Sequence, residues 1–290
     1  MTRSLLTLRE LAGTVHAPAD AGPGRIGFLL LNAGPAPRSG NSDLSARLGD
    51  RLAALGAYAF RFDLPGLGDS AGELPERTSV FWRDVQRGRN DEPALELGRE
   101  LKEAYGLRGL VAGGLCAGAI TSIRAADRDP RVFSGLLLLE PSFRREPEPR
   151  APLAVEPRLL RRGLLYLTMS RVLRPLRPLL FRCLAFEGGH SLPRDLDPEL
   201  VACWRRTLGR RVPTFVAMAR SGDREHPCRR ILDELPLYRR RAVTDLMIEG
   251  SNHLFTWGDG LEAVVRGAGR WAAAYMASFA PSPGGTLRDS

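Results

Sequence analysis

A chain of 290 residues with 43% apolar and 7% aromatic content can bury one large core, with or without an insertion, and this excludes disorder, collagen-like repetition and a coiled coil. The net charge is +9, yet of the 42 basic residues only Lys102 is lysine, a bias that points to codon usage more than to a partner. No stretch approaches the roughly 20 apolar residues needed to span a bilayer, and residues 1–15 lack the apolar core and cleavage site of a signal peptide, so a soluble cytoplasmic protein is expected.

Strand-like and helix-like segments alternate along the chain. Strands are predicted at Leu5–Leu8, Leu11–His16 and Arg25–Asn32, a helix at Ser42–Leu55, a strand at Tyr58–Asp63 and a helix at Pro93–Ala104. A strand at Gly109–Gly113 runs into a small-residue helix at Ala117–Ala126, and Gly135–Glu140 is the next strand. Runs such as Leu136 to Leu139 are continuously apolar, as befits strands covered by helices on both faces. The alternation pauses over residues 141–211, which are rich in Arg, Leu and Pro and read as an inserted helical cap. It resumes with strands at Pro213–Ala219 and Ala242–Glu249 and a helix at Gly260–Ser278, before a flexible tail at 281–290. The pattern predicts an α/β fold: a mainly parallel eight-stranded sheet whose core comprises residues 1–140 and 212–280.

The cap carries most of the charge surplus, with 15 Arg against 7 acidic residues from Pro141 to Arg211. A field of that kind can attract coenzyme A, an acidic carrier protein or another anionic partner, and it can equally be a solvated arginine face. No recognition motif accompanies it, so nucleic acid is not expected. Cys116, Cys183, Cys203 and Cys228 have no CxxC spacing, and the four histidines are scattered; neither a metal site nor a cofactor is predicted.

Gly114-Leu115-Cys116-Ala117-Gly118 stands between a strand and a helix. It is a G-x-C-x-G nucleophile elbow with sulfur in place of the usual hydroxyl. A thiol there needs a base, and His253 follows the last strand, where an imidazole can reach back to the sulfur; His190 and His226 rank behind it. The orienting acid should lie between them in chain order, which selects Asp223 after the seventh strand, with Glu140 as runner-up. Oxyanion donors are expected from the Ala117 N–H and from Gly34, with Ala33 close behind because Pro35 has none. Asn32 and Arg38 in the same loop, Leu115 beside the nucleophile and Tyr166 in the cap are candidates for substrate contact; for the loop residues, bracing is an equal alternative.

Taken together these residues resemble the α/β-hydrolase superfamily. Leu31 to Gly34 with Arg38 and Gly40, then Arg61 to Ser70, are similar to its serine-aminopeptidase-like and exosortase-associated branch. That resemblance implies structural roles for Asp63 and Asp69 and a lid at the insertion. Most of the branch has serine where this chain has Cys116. Superfamily members with cysteine there include acyltransferases, thioesterases and dienelactone hydrolases, so the resemblance implies acyl transfer from a coenzyme A or carrier-bound thioester through an acyl-Cys116 intermediate. The alternatives are a carboxylic-ester or lactone hydrolase and a binding scaffold using the arginine-rich cap.

Overall fold

The structure, a computed structural model, describes residues 1–145, 196–220, 226–235 and 240–279. All eight predicted strands are present: β1 (Thr2–Leu8), β2 (Leu11–Ala17), β3 (Ile26–Leu31), β4 (Tyr58–Phe62), β5 (Gly109–Leu115), β6 (Gly135–Leu139), β7 (Thr214–Arg220) and β8 (Val243–Glu249). They form one sheet in the order β1-β2-β4-β3-β5-β6-β7-β8. The β1–β2 and β2–β4 pairs are antiparallel, and every later pair is parallel.

The predicted helices appear as α1 (Leu44–Ala54), α3 (Asp91–Ala104), α4 (Ala117–Arg128) and α7 (Gly260–Ala277). Between and beside them stand α2 (Thr78–Gln86), α5 (Pro198–Gly209) and α6 (Pro227–Asp233), which the apolar spacing did not announce. Side chains alternate across each strand, so Phe28 and Leu30 of β3 pack with Leu48 and Leu52 of α1 and Trp271 of α7. On the opposite face α4 packs against α2, α3 and α5. Both faces of the central strands are therefore covered, and every residue of β3, β5 and β6 is buried.

Contacts group Met1–Arg145 with Asp197–Ser290 as one unit and Glu146–Leu196 as another. Residues 146–195, and with them most of the expected cap, lie outside the described residues, as does the expected tail. Within the expected cap, Asp197 and the residues after it group with Met1–Arg145. Asp197 N–H donates to the Phe143 carbonyl (2.8 Å), joining the two edges of the insertion, and Phe143 stacks on the buried Trp204 of α5 at 4.9 Å. The start of α5 was legible in principle: Asp197 caps it, accepting from the N–H groups of Glu199 and Leu200, and Pro198 follows. Among the described residues no helix is long and apolar enough to cross a membrane.

Candidate active site

β5 and α4 meet at Cys116, whose backbone is held at φ 52°, ψ −103°, outside the regions comfortable for an L-residue. The turn is fixed from both sides. The Cys116 N–H donates to Leu139 O of β6 (2.9 Å), and its carbonyl accepts from Ile120 N–H (3.0 Å). Gly118 has no alternative residue, because a Cβ there would lie 2.6 Å from the Leu31 carbonyl oxygen. The elbow is thus wedged against the end of β3 and its thiol is partly exposed. Ala117 opens α4, where the first-turn N–H groups have no partner within the helix.

Across the parallel ladder, β6 ends at Glu140, which also takes a positive φ of 47° and whose N–H donates to Ala217 O (2.8 Å). The Glu140 side chain is buried and fully engaged. Oε1 accepts from the Ala219 N–H, and Oε2 lies 3.0 Å from His253 Nδ1 and 3.0 Å from His226 Nε2. Burial alone would push this carboxyl up, but the hydrogen bonds from His226 and His253 overcome it and hold the pKa down at about 2.

His253 sits in a loop that its neighbours make rigid. Asn252 Oδ1 accepts from Thr256 N–H (2.8 Å), Asn252 Nδ2 donates to Thr256 Oγ1 (2.8 Å), and Phe255 is wholly buried. Its imidazole faces both other groups: hydrogen bonding to Cys116, then to Glu140, outweighs burial and raises its pKa to about 10. The ring is 46% exposed, so one side is open to solvent. A cavity of about 390 Å³ is lined by Glu140, His226, His253, Arg144, Ser251 and Phe143, within the size range of small-molecule sites.

The structure brings together Cys116, Ala117, His253 and the runner-up acid Glu140. Asp223 and Tyr166 lie outside the described residues. His253 Nδ1, the atom an orienting acid must hold, is taken by Glu140. Gly34 and Ala33 lie in the loop after β3, as expected, and Gly34 (φ 82°) backs directly onto Trp82 of α2, whose ring stands 2.6 Å from where a Cβ would be. Trp82 carried no sequence signal of that role.

Three residues expected at the substrate are engaged within the protein. Leu115 is buried in the core cluster, because its strand position turns its side chain away from the elbow's open side. Asn32 is buried and committed: Nδ2 donates to Ala36 O and Asp63 Oδ1 (2.9 Å each), and Oδ1 accepts from Leu64 N–H (2.8 Å). Arg38 donates from Nη1 to Asp63 Oδ2 (2.5 Å) and Asp69 Oδ2 (2.6 Å), and from Nε to Thr14 Oγ1 (3.2 Å). Both residues brace the loops after β3 and β4 around Asp63. His226, ranked low in the sequence, is the residue whose place was missed; the His-Pro pair ahead of a short helix was its available signal.

No protein-family model matches the chain, and no curated protein matches it. Solved structures do. An α/β serine hydrolase without a lid from Xanthomonas campestris superposes with TM-score 0.55 at 14% identity, over 94% of this chain and 95% of that one. Dienelactone hydrolase from Anabaena variabilis gives 0.56 at 13% identity, over 95% and 97%. Monoacylglycerol lipase from Paleococcus ferrophilus gives 0.53 at 17% identity, over 92% and 99%. The chain has the α/β-hydrolase fold, with Cys116, Glu140 and the loop of His253 following the carboxyl ends of parallel strands.

Proposed function

We propose that this protein is an acyl-transfer enzyme, a thioesterase or acyltransferase, working through an acyl-Cys116 intermediate with a Cys116–His253–Glu140 triad. The reading rests on one observation: a strained elbow thiol and a carboxylate-bound imidazole converge at the open end of the sheet. The resemblance of residues 31–40 and 61–70 to the serine-aminopeptidase-like and exosortase-associated branch supports it, with cysteine replacing that branch's serine.

His253 is hydrogen-bonded to the sulfur and takes the thiol proton, leaving the thiolate, which is the nucleophilic form. The thiolate attacks the thioester carbonyl, and the new oxyanion is held by the N–H groups of Ala117 and Gly34, with Ala33 as the alternative second donor. Collapse breaks the carbon–sulfur bond to the leaving thiolate, which takes the His253 proton. Acylation removes the hydrogen bond to Cys116 that had raised His253 most, so the imidazole is freed to act as a base. It accepts the proton of water, an amine or a hydroxyl as that group attacks acyl-Cys116, and returns it to the departing sulfur. Attack by sulfur on a thioester exchanges one thioester for another of similar energy, which favours this substrate class over oxoesters. Coenzyme A or an acidic carrier fits the arginine-rich segment 141–211, and an unpaired elbow thiol suits the reducing cytoplasm.

A second reading, a carboxylic-ester or lactone hydrolase, is favoured by the names of the structural neighbours, a lipase and a dienelactone hydrolase. Intact-protein mass spectrometry after exposure to a panel of acyl thioesters separates the two. We expect an acyl adduct on the wild type, absent from Cys116→Ala, with turnover at least about 10⁴-fold lower in that variant. Faster release from matched oxoesters would select the second reading. No adduct and no turnover on either class, with Cys116 no more reactive to iodoacetamide than the other thiols, would select a binding scaffold.

A further inference from the structure

Two imidazoles share one oxygen of Glu140, and the proposed triad uses only one of them. The second, His226, is nearly buried, and its tautomer is set by its surroundings. Its Nδ1 receives the Cys228 N–H (3.2 Å), so that nitrogen carries no proton; the proton is on Nε2, pointing at Glu140 Oε2 3.0 Å away. The ring therefore bridges the first turn of α6 and the carboxylate without needing a positive charge. With the Ala219 N–H on Oε1, it leaves Glu140 no freedom to rotate.

We propose that His226 is a positioning residue for acyl transfer: its Nε2–H clamps Glu140 Oε2, orienting the carboxylate that holds His253 and limiting the negative charge it offers. The inference rests on the triad reading above. A carboxylate oxygen divided between two donors grips each more weakly than one given to a single donor, so His226 tempers the hold of Glu140 on the His253 proton. That matters in the second half-reaction, when His253 must give up its proton to act as a base. Among the described residues, the other titratable groups facing this cluster are Cys116 at the elbow, Arg144 at the cavity and Cys228, which itself faces Asp245 and Arg240.

Two substitutions separate the clamp from the helix cap. In His226→Asn the amide oxygen can take the place of Nδ1 and keep the cap, while the side chain is too short to reach Glu140. In His226→Gln the amide NH₂ can take the place of Nε2 and keep the clamp. We expect the His253 imidazole, followed by nitrogen NMR, to titrate about half to one pH unit higher in the Asn variant and near the wild-type value in the Gln variant. Hydrolysis of acyl-Cys116 at neutral pH should slow by up to about tenfold in Asn and be largely restored in Gln. A merely structural cap predicts the reverse order, with Asn nearer to wild type; that order, or an unmoved titration in both, overturns the proposal. The wild-type protein supplies a test independent of folding of the variants: its His226 ring should carry its proton on Nε2, and a proton on Nδ1 refutes the clamp. None of the titration or tautomer readouts needs a thioester substrate. If the wild type forms no acyl adduct, the functional reading fails while the clamp is still decided.

Discussion

Two buried carboxylates stand near the carboxyl ends of the strands and solve the same problem differently. Asp63, after β4, is fully buried and is met by a guanidinium, an amide and the Asp69 N–H. Glu140, after β6, is nearly as buried and is met by two imidazoles and the Ala219 N–H. An uncompensated charge in either place would be costly, and both have their hydrogen bonds satisfied. The partners differ in kind. Arg38 cannot release its proton and Asn32 has none to release, so the Asp63 cluster does one thing, locking two loops. An imidazole, unlike a guanidinium, can give up and take back a proton, so in the proposed reaction the burial around Glu140 holds a group, His253, that moves one.

The largest effect should come from removing the charge at the second centre. Glu140→Gln keeps the shape but takes away the counter-charge of His253, and turnover per folded molecule should fall about 10³- to 10⁴-fold. A fall of less than tenfold would mean that Glu140 is a second bracing centre and the contrast is void. At the first centre the loss should be of stability. Asp63→Asn leaves the poorly exposed Arg38 without its buried partner, and chemical denaturation should report a loss of about 3–5 kcal/mol. Activity per folded molecule should drop far less than in Glu140→Gln.

The pH dependence of stability sharpens the contrast. Glu140 is depressed from its ordinary 4.5 to about 2, so its contribution is present above about pH 4.5 and is lost as pH falls towards 2. His253 is raised from 6.5 to about 10, so its contribution is present below about pH 6.5 and is lost as pH rises towards 10. Melting curves of wild type and Glu140→Gln should therefore differ most between about pH 4.5 and 6.5, and the difference should shrink as pH falls towards 2 or rises towards 10. The smallest effect is expected at Asp69, the exposed partner of Arg38: Asp69→Ala should cost no more than about 0.5 kcal/mol in the same denaturation measurement. A cost equal to that of Asp63→Asn would show that the exposed half of the pair, not the buried half, holds the loop.

The central strands were legible because a parallel strand covered on both faces must be apolar throughout, as are Phe28 to Leu31 and Leu136 to Leu139. The elbow was legible for a similar reason: the backbone of Cys116 is strained and Gly118 touches β3, so the small residues needed there are written in the sequence. The shorter helices were not, since α6 has seven residues and α5 lies in a stretch that reads as insertion until Phe143 and Asp197 are seen to meet. The oxygen that holds His253 was beyond sequence reasoning. Glu140 and Asp223 both follow strands and both lie between nucleophile and base in chain order, so order along the chain cannot rank them. The strand order places β6 next to β5, and the positive φ at Glu140 accompanies a carboxylate directed at the histidine loop. Nor could sequence tell Asn32 and Arg38 from ligand contacts, because a polar side chain declares its chemistry but not which partner consumes it. Residue type and local pattern determined the sheet, the elbow and the choice of histidine; the partners of each charge were decided only in three dimensions, where hydrogen bonds join residues 113 and 86 positions apart on one carboxylate oxygen.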